Sequence, residues 1–327
     1  MCKSQVVLLA LVLVACSKGP PADGDTVTLT IDAGRITVSG ISSGAYMAGQ
    51  LHVAHSGLFS GAALIAGGPY YCAEGSVTRG IGPCIQGGDL GTTRLIDYAR
   101  EMSASGHIDP VDNLVGDPVW LFIGTLDDKV DADVTRSAAD FYRQLQADVT
   151  LVDNIAVVHG MPTLAAGLAC DAFGSPFIQN CGYDAAGTLL RALYGELAPR
   201  TRDSGELRSI VQTGGADADM LDNSYLYVPA ICAAGESCGV HVAFHGCAQS
   251  SEFVGDAFAT GAGYNEWAEA NRLLVLYPQV GSSRIAPMNP LGCWDWWGYT
   301  DENYATRNGR QIKVVKAMLD SLAGTTL

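Results

Sequence analysis

Residues 35–51 read RITVSGISSGAYMAGQL. The first five predict a short β-strand, and residues 44–55, rich in small side chains, predict a helix. Between them Gly40-Ile41-Ser42-Ser43-Gly44 has the form G-x-S-x-G. A turn from strand to helix this tight leaves no room for side chains two positions before or after its apex. Glycine at both places lets Ser42 stand at the apex with its hydroxyl exposed. Ser43 does not fit the pattern, because Ile41 and Ala45 flank it at those offsets. A Gly/Ser-rich turn matches the pattern by itself; the strand before it and the helix after it give it meaning.

Working outward, strand-like runs at 26–32, 61–66, 119–124, 154–158, 206–212, 225–228, 240–244 and 273–278 alternate with helical patterns. Those patterns lie at 90–103, 134–145, 187–194 and 311–322, with 257–271 mostly helical. Such alternation predicts an α/β fold with an open, mostly parallel sheet covered by helices on both faces. The run VWLFIG at 119–124 is apolar throughout, as a strand buried on both faces requires. No repeat or interior linker is visible, so residues 26–327 are expected to form one catalytic domain. Of the 327 residues, 48% are hydrophobic and 16% charged, which excludes a disordered chain or a coiled coil. Lys plus Arg number 19 against 34 Asp plus Glu, a net charge of −15 with no basic cluster. That excludes a nucleic-acid partner and attraction to an anionic membrane surface.

A serine nucleophile needs a histidine base, and the base needs an orienting carboxylate. In α/β-hydrolases the chain order is Ser, then Asp or Glu, then His, each after a sheet strand. The strand at 119–124 runs into Thr125-Leu126-Asp127-Asp128, and the strand at 154–158 is followed at once by His159. Ser42, Asp127 and His159 therefore form the expected triad, with Asp128 the nearest rival for the acid. His52 and His55 lie on the helix after the elbow, His107 in a polar loop, and His241 at the start of a strand. His245-Gly246-Cys247 ends the strand at 240–244 and has the form of an oxyanion turn. The expected donors are the backbone N–H groups of Ser43 and Cys247. The oxyanion strand normally precedes the elbow, whereas here it follows by some 200 residues. Moving residues 206–327 ahead of residue 35 restores the usual order, so the chain reads as a circularly permuted α/β-hydrolase.

The N-terminus carries Lys3, an apolar run at 6–14, and Leu13-Val14-Ala15-Cys16. This predicts an export signal over residues 1–16 that resembles a bacterial lipobox, with Cys16 as the lipidation site. An ordinary cleaved signal with an incidental cysteine is the competing reading. Residues 17–25, SKGPPADGD, read as a tether. The nine-residue apolar run is too short to span a membrane, so membrane contact is expected only through an anchor at Cys16. Eight cysteines remain after Cys2 and Cys16, an even number that suits disulfides in an exported chain. Spacing suggests Cys72–Cys84, Cys170–Cys181 and Cys232–Cys238, leaving Cys247–Cys293. Zinc is the competing use, but no couple has C-x-x-C spacing.

The segments ITVSGISSGAYMAGQL, AGGPYYCA, GTLDDKV, NCGYDAAG, YLYVP, VAFHGCAQS, GYNEWAEANRLLVLYPQ and GCWDWWG, together with His159, resemble single-domain, fungal-type extracellular poly(3-hydroxybutyrate) depolymerases. The resemblance runs from about residue 37 to the last helix; the matches around HGC and CWDWW are its specific part. It implies the same permuted fold, the triad Ser42, Asp127 and His159, donors at Ser43 and Cys247, and Trp296 at the substrate groove. Core packing is the other reading of Trp294, Trp296 and Trp297. If the segment is extended, alternation puts Trp294 and Trp296 on one face. The expected activity is hydrolysis of polyester or oligoester bonds of short 3-hydroxy acids. The alternatives are a feruloyl or acetyl esterase and a surface-binding lipoprotein without turnover. No metal or cofactor is expected. The protein is expected to be a monomer, lipid-anchored at the bacterial envelope or otherwise secreted.

Overall fold

The computed structural model describes residues 28–323. The signal and lipobox (1–16) and the tether (17–25) lie outside the described residues. In chain order the strands are β1 (Thr30–Ile41), β2 (Ala62–Ile65), β3 (Pro118–Gly124), β4 (Asp148–Ile155), β5 (Met161–Thr163), β6 (Leu168–Ala169), β7 (Ile178–Asn180), β8 (Glu206–Val211), β9 (Asn223–Val228), β10 (Ser237–Phe244) and β11 (Leu273–Tyr277).

Eight of them form one sheet in the order β4-β3-β2-β1-β10-β11-β9-β8. Every pairing from β4 to β11 is parallel, and β9 runs antiparallel to both its neighbours. Numbered from β8 as the first strand, the sheet reads 1-2-4-3-5-6-7-8, with a single swap. That is the α/β-hydrolase order, with the chain beginning at the fifth strand. The central seam pairs β1 with β10, setting Thr37 opposite His241 and Gly40 opposite Phe244.

Side chains alternate between two buried layers, as period-2 strands demand. Val38, Leu64, Val242 and Leu276 face the layer under the helices Ser43–Ala54, Thr92–Ala104, Ala132–Gln144 and Arg310–Leu322. Ile65, Ala243, Val275 and Tyr277 face the other, where Leu189, Phe258 and Trp267 pack from the helices Ala185–Tyr194, Ala257–Gly261 and Asn265–Asn271. Burial on both faces explains why these strands read as apolar runs.

Several elements differ from the sequence reading. The strand expected at 26–32, whose first two residues lie outside the described ones, and the strand at 35–39 run together from Thr30 as one strand, β1, with a register shift between Ile31 and Ile36. Gly239 faces the bulge on β10, where a Cβ would run into the Arg35 carbonyl. The strand expected at 154–158 lies earlier, as β4. It is a sheet edge, so three of its eight residues are exposed and none is buried, and its apolar signal is diluted. The helix expected at 257–271 breaks at Gly263, whose φ is +87°. The small sheet β5-β7-β6 has strands of three residues or fewer, too short to show a period. The three disulfides suggested by spacing, at 72–84, 170–181 and 232–238, are formed, and so is 247–293, left by elimination.

Candidate active site

Ser42 sits at the end of β1 with φ 56° and ψ −123°, immediately before the helix Ser43–Ala54. The glycines around it answer to specific atoms. A Cβ at Gly40 would overlap the Gly44 carbonyl, and one at Gly44 would overlap the carbonyls of Phe244 and His245. Gly44 must lack a side chain because the elbow is pressed against the end of β10, and Gly40 because the turn folds back on its own backbone.

Asp127 and His159 come together because their loops run side by side. Thr125 N–H donates to Ile155 O at 2.8 Å, and Leu126 N–H to Val157 O at 3.2 Å. His159 Nδ1 then lies 2.8 Å from Asp127 Oδ2. The other carboxylate oxygen accepts from the Lys129 and Val130 amides, both at 2.9 Å. Only 2% of the Asp127 side chain is exposed, against 71% for Asp128, which pairs with Lys129 instead. The carboxylate is thus fixed on both sides and aimed at the imidazole.

Ser42 and His159 line one cavity of about 380 Å3. They are not hydrogen-bonded in the structure; a nucleophile and its base often close up only around substrate. Gly246 and Cys247 of the turn after β10, with Ala248 and Gln249, form another wall. Gly246 N–H is taken by Gln249 Oε1 at 2.8 Å and Ala248 N–H by Leu291 O at 2.6 Å. Among the described residues Cys247 N–H has no protein acceptor, and Ser43 N–H stands at the first helical position, where no intrahelical acceptor exists. Two free amides and a helix N-terminus suit a developing negative charge. A larger depression of about 680 Å3, beside Asp217, Asp219, Arg310 and Lys313, holds none of these residues.

Comparison with known proteins gives a consistent picture. The chain is 38% identical over 308 residues to the poly(3-hydroxybutyrate) depolymerase of Delftia acidovorans, covering 91% of this chain and 61% of that protein. It is 35% identical over 321 residues to the polyhydroxybutyrate depolymerase of Talaromyces funiculosus, covering 93% of this chain and 94% of that one. The chain belongs to the poly(3-hydroxybutyrate) depolymerase family. The crystal structure of PHB depolymerase from Penicillium funiculosum superposes with a TM-score of 0.84 at 33% identity, over 90% of this chain and 97% of that chain. A PHB depolymerase with one serine changed to alanine, complexed with an R3HB trimer, gives a TM-score of 0.85 at 32% identity, with the same coverage. No family model matches the chain.

In this depolymerase-family chain Trp296 is not at the cavity. It is 6% exposed, stacked on Tyr46 with ring centroids 4.6 Å apart and edge-on to Trp297. Trp294 and Trp296 do not share a face either; they belong to the two different core layers, because the segment is irregular and not extended. Trp294 is the one near the site, but from behind: its Nε1–H donates to His245 O at 3.1 Å and so backs the His245-Gly246-Cys247 turn.

The aromatic surface at the cavity is Phe173 and Phe177. They ride on the loop closed by Cys170–Cys181. Gln249 ties that loop to the turn, its Nε2 donating to Pro176 O at 2.9 Å and Phe177 O at 3.2 Å. Sequence reasoning passes over all three; the one available signal is the position of Gln249 just after His245-Gly246-Cys247.

The remaining histidines are structural in their contacts. His52 is buried between Tyr142 and Asp117, and His107 meets Ser105 at the surface. His55 packs in the fold with its Nε2 buried. His241 lies between Thr37 at 2.8 Å and Ser39 at 2.7 Å, sealed inside the central seam. That serine–histidine pair has no path to a substrate. Burial pushes His241 down to about 3.

Proposed function

We propose that this protein is an exported serine esterase that hydrolyses ester bonds of poly(3-hydroxybutyrate) or of related short-chain 3-hydroxyalkanoate polyesters and oligoesters. The observation that carries this reading is the Asp127–His159 pair opening onto the cavity that holds Ser42. Ser42 Oγ attacks the ester carbonyl, and His159 Nε2 takes its proton. Asp127 at Nδ1 fixes the tautomer that leaves Nε2 free to accept. The oxyanion is met by the amides of Ser43 and Cys247, worth several kcal/mol of barrier together. Collapse breaks the ester C–O bond as His159 returns the proton to the departing alkoxide. Water, deprotonated by the same imidazole, then cleaves the acyl-enzyme and releases the acid.

The wall of Ile41, Phe173, Phe177 and Leu291 suits methyl and methylene groups. The names of the relatives, and the R3HB trimer in one of them, support the substrate class. In the test, release of 3-hydroxybutyrate from the polymer is compared with turnover of feruloyl and acetyl esters, alongside labelling by a fluorophosphonate. Labelling without polymer hydrolysis would mean another carboxylesterase. No labelling would mean a binding protein on a hydrolase scaffold. Asp127→Asn should lower the rate by orders of magnitude through the wrong imidazole tautomer, and Asp128→Asn should not.

One catalytic domain serves this reading. Four disulfides support an oxidising compartment. No described helix is long and apolar enough to cross a membrane. Anchoring through acylated Cys16 is part of the proposal. Cys16→Ala should abolish labelling by a radioactive fatty acid; an unlabelled wild type would mean a plain signal.

A further inference from the structure

Lys129 carries the one fixed charge among the residues lining the cavity. A polyester chain offers that ammonium nothing ionic along its length. The side chain is nonetheless held in place: Nζ sits 4.7 Å from the centre of the Phe173 ring and 3.2 Å from Asp128 Oδ1. Phe173 in turn has its ring centre 6.5 Å from that of His159. Lys129 also donates its amide to the carboxylate that orients His159. Lys129 is therefore on the histidine side of the cavity.

That side is where the leaving group must be, because the imidazole has to reach the departing oxygen to protonate it. In a 3-hydroxy acid oligomer the fragment on the alcohol side of the cleaved ester runs toward the carboxyl end of the chain. Its terminus is the one anion the substrate has. We propose that Lys129 is a subsite for the terminal carboxylate of the leaving fragment. It would favour cleavage near the free-acid end of an oligomer. This rests on the esterase reading above and names the substrate class within it. Asp128 competes with the substrate for the same ammonium, so the two residues act in opposite directions. Both are partly exposed, 43% for Lys129 and 71% for Asp128, so the preference is modest and salt-sensitive.

The test compares kcat/KM for a linear 3-hydroxybutyrate trimer as the free acid and as its methyl ester; the readout is their ratio. The wild type should prefer the acid. Lys129→Met should lower the ratio by about fivefold, the upper end for an exposed ion pair, and Lys129→Arg should keep it. Asp128→Asn should raise it, and added salt should bring wild type and Lys129→Met together. An equal ratio in wild type and Lys129→Met would overturn the subsite while leaving the esterase intact. Hydrolysis of neither trimer by the wild type would overturn the esterase reading and the subsite with it.

Discussion

Ser42 holds a backbone conformation that costs a non-glycine residue about 1–3 kcal/mol, with φ at 56°. Alanine bears the same cost, so Ser42→Ala should keep the thermal midpoint while ester turnover falls by at least about a thousandfold. Ser43→Ala should retain most of the activity, since only its amide is asked to act. Kinetics beside a melting curve checks both; a dead Ser43→Ala with an active Ser42→Ala would move the elbow. Two other histidines contribute most to the response to acid, and the partly buried His55, whose titration burial also lowers, adds to it in the same direction. Burial pushes His241 to about 3 and His245 to about 4, the Gly246 carbonyl opposing the shift of the second. An unfolded histidine titrates near 6.5. Between those limits the unfolded chain binds protons that the native fold refuses. Stability is therefore undiminished above about pH 6.5 and falls as the pH drops toward about 4, by about 1.4 kcal/mol per pH unit for each group. A melting temperature that stays flat over that window would contradict this. At this scale a residue is legible when a local pattern marks it. The glycines around Ser42 do so, and Asp127 is readable because it follows an apolar strand. Trp296 has no such mark, because an aromatic run looks the same in a core and at a groove. Trp296→Ala should cost about 3–5 kcal/mol, and turnover of polymer and of p-nitrophenyl acetate should fall together with the folded fraction. Selective loss on the polymer would return Trp296 to the groove.

Elements are legible in proportion to their burial and length. β10 and β11 lie inside the sheet and show as apolar runs, whereas β4 at the edge is found several residues away from where its strongest stretch suggests. The region 161–181 shows nothing at all, yet it carries the aromatic wall, because its strands are short and its order comes from Cys170–Cys181 and Gln249. The Cys247–Cys293 bridge works at the same level. It joins the proposed oxyanion turn to the tryptophan segment over 46 residues, where the chain-entropy account gives about 4 kcal/mol. The other bridges span 12, 11 and 6 residues and constrain the unfolded chain less. Cys247→Ser with Cys293→Ser should lower the melting temperature and also reduce kcat beyond the loss of folded protein, since the Cys247 amide loses its brace. A kcat that falls only with the folded fraction would mean that Ala248–Leu291 and Gln249 hold the turn alone.

For the whole molecule, the sheet order shows what the motifs imply once they are put in sequence: the usual hydrolase, begun in its middle. The central seam joins residues 204 apart, Thr37 and His241. A rewired chain that starts in the exposed stretch at 199–204, with the old ends joined by a linker, should build the same sheet. It should also fold faster, because the separation across the seam is roughly halved and non-local closure is what slows such sheets. Stopped-flow refolding would show this, and an unchanged or slower rate would mean that the seam is not limiting. The permutation also bears on the order of synthesis. Ser42, Asp127 and His159 all leave the ribosome before β10 does. Until residues 237–247 arrive, Gly44 has no carbonyls to rest against and Cys247 offers no amide. The growing chain carries Ser42, Asp127 and His159 before the turn proposed to work with them exists. On the proposed esterase reading, ester cleavage therefore waits until residue 247 of 327 has been made.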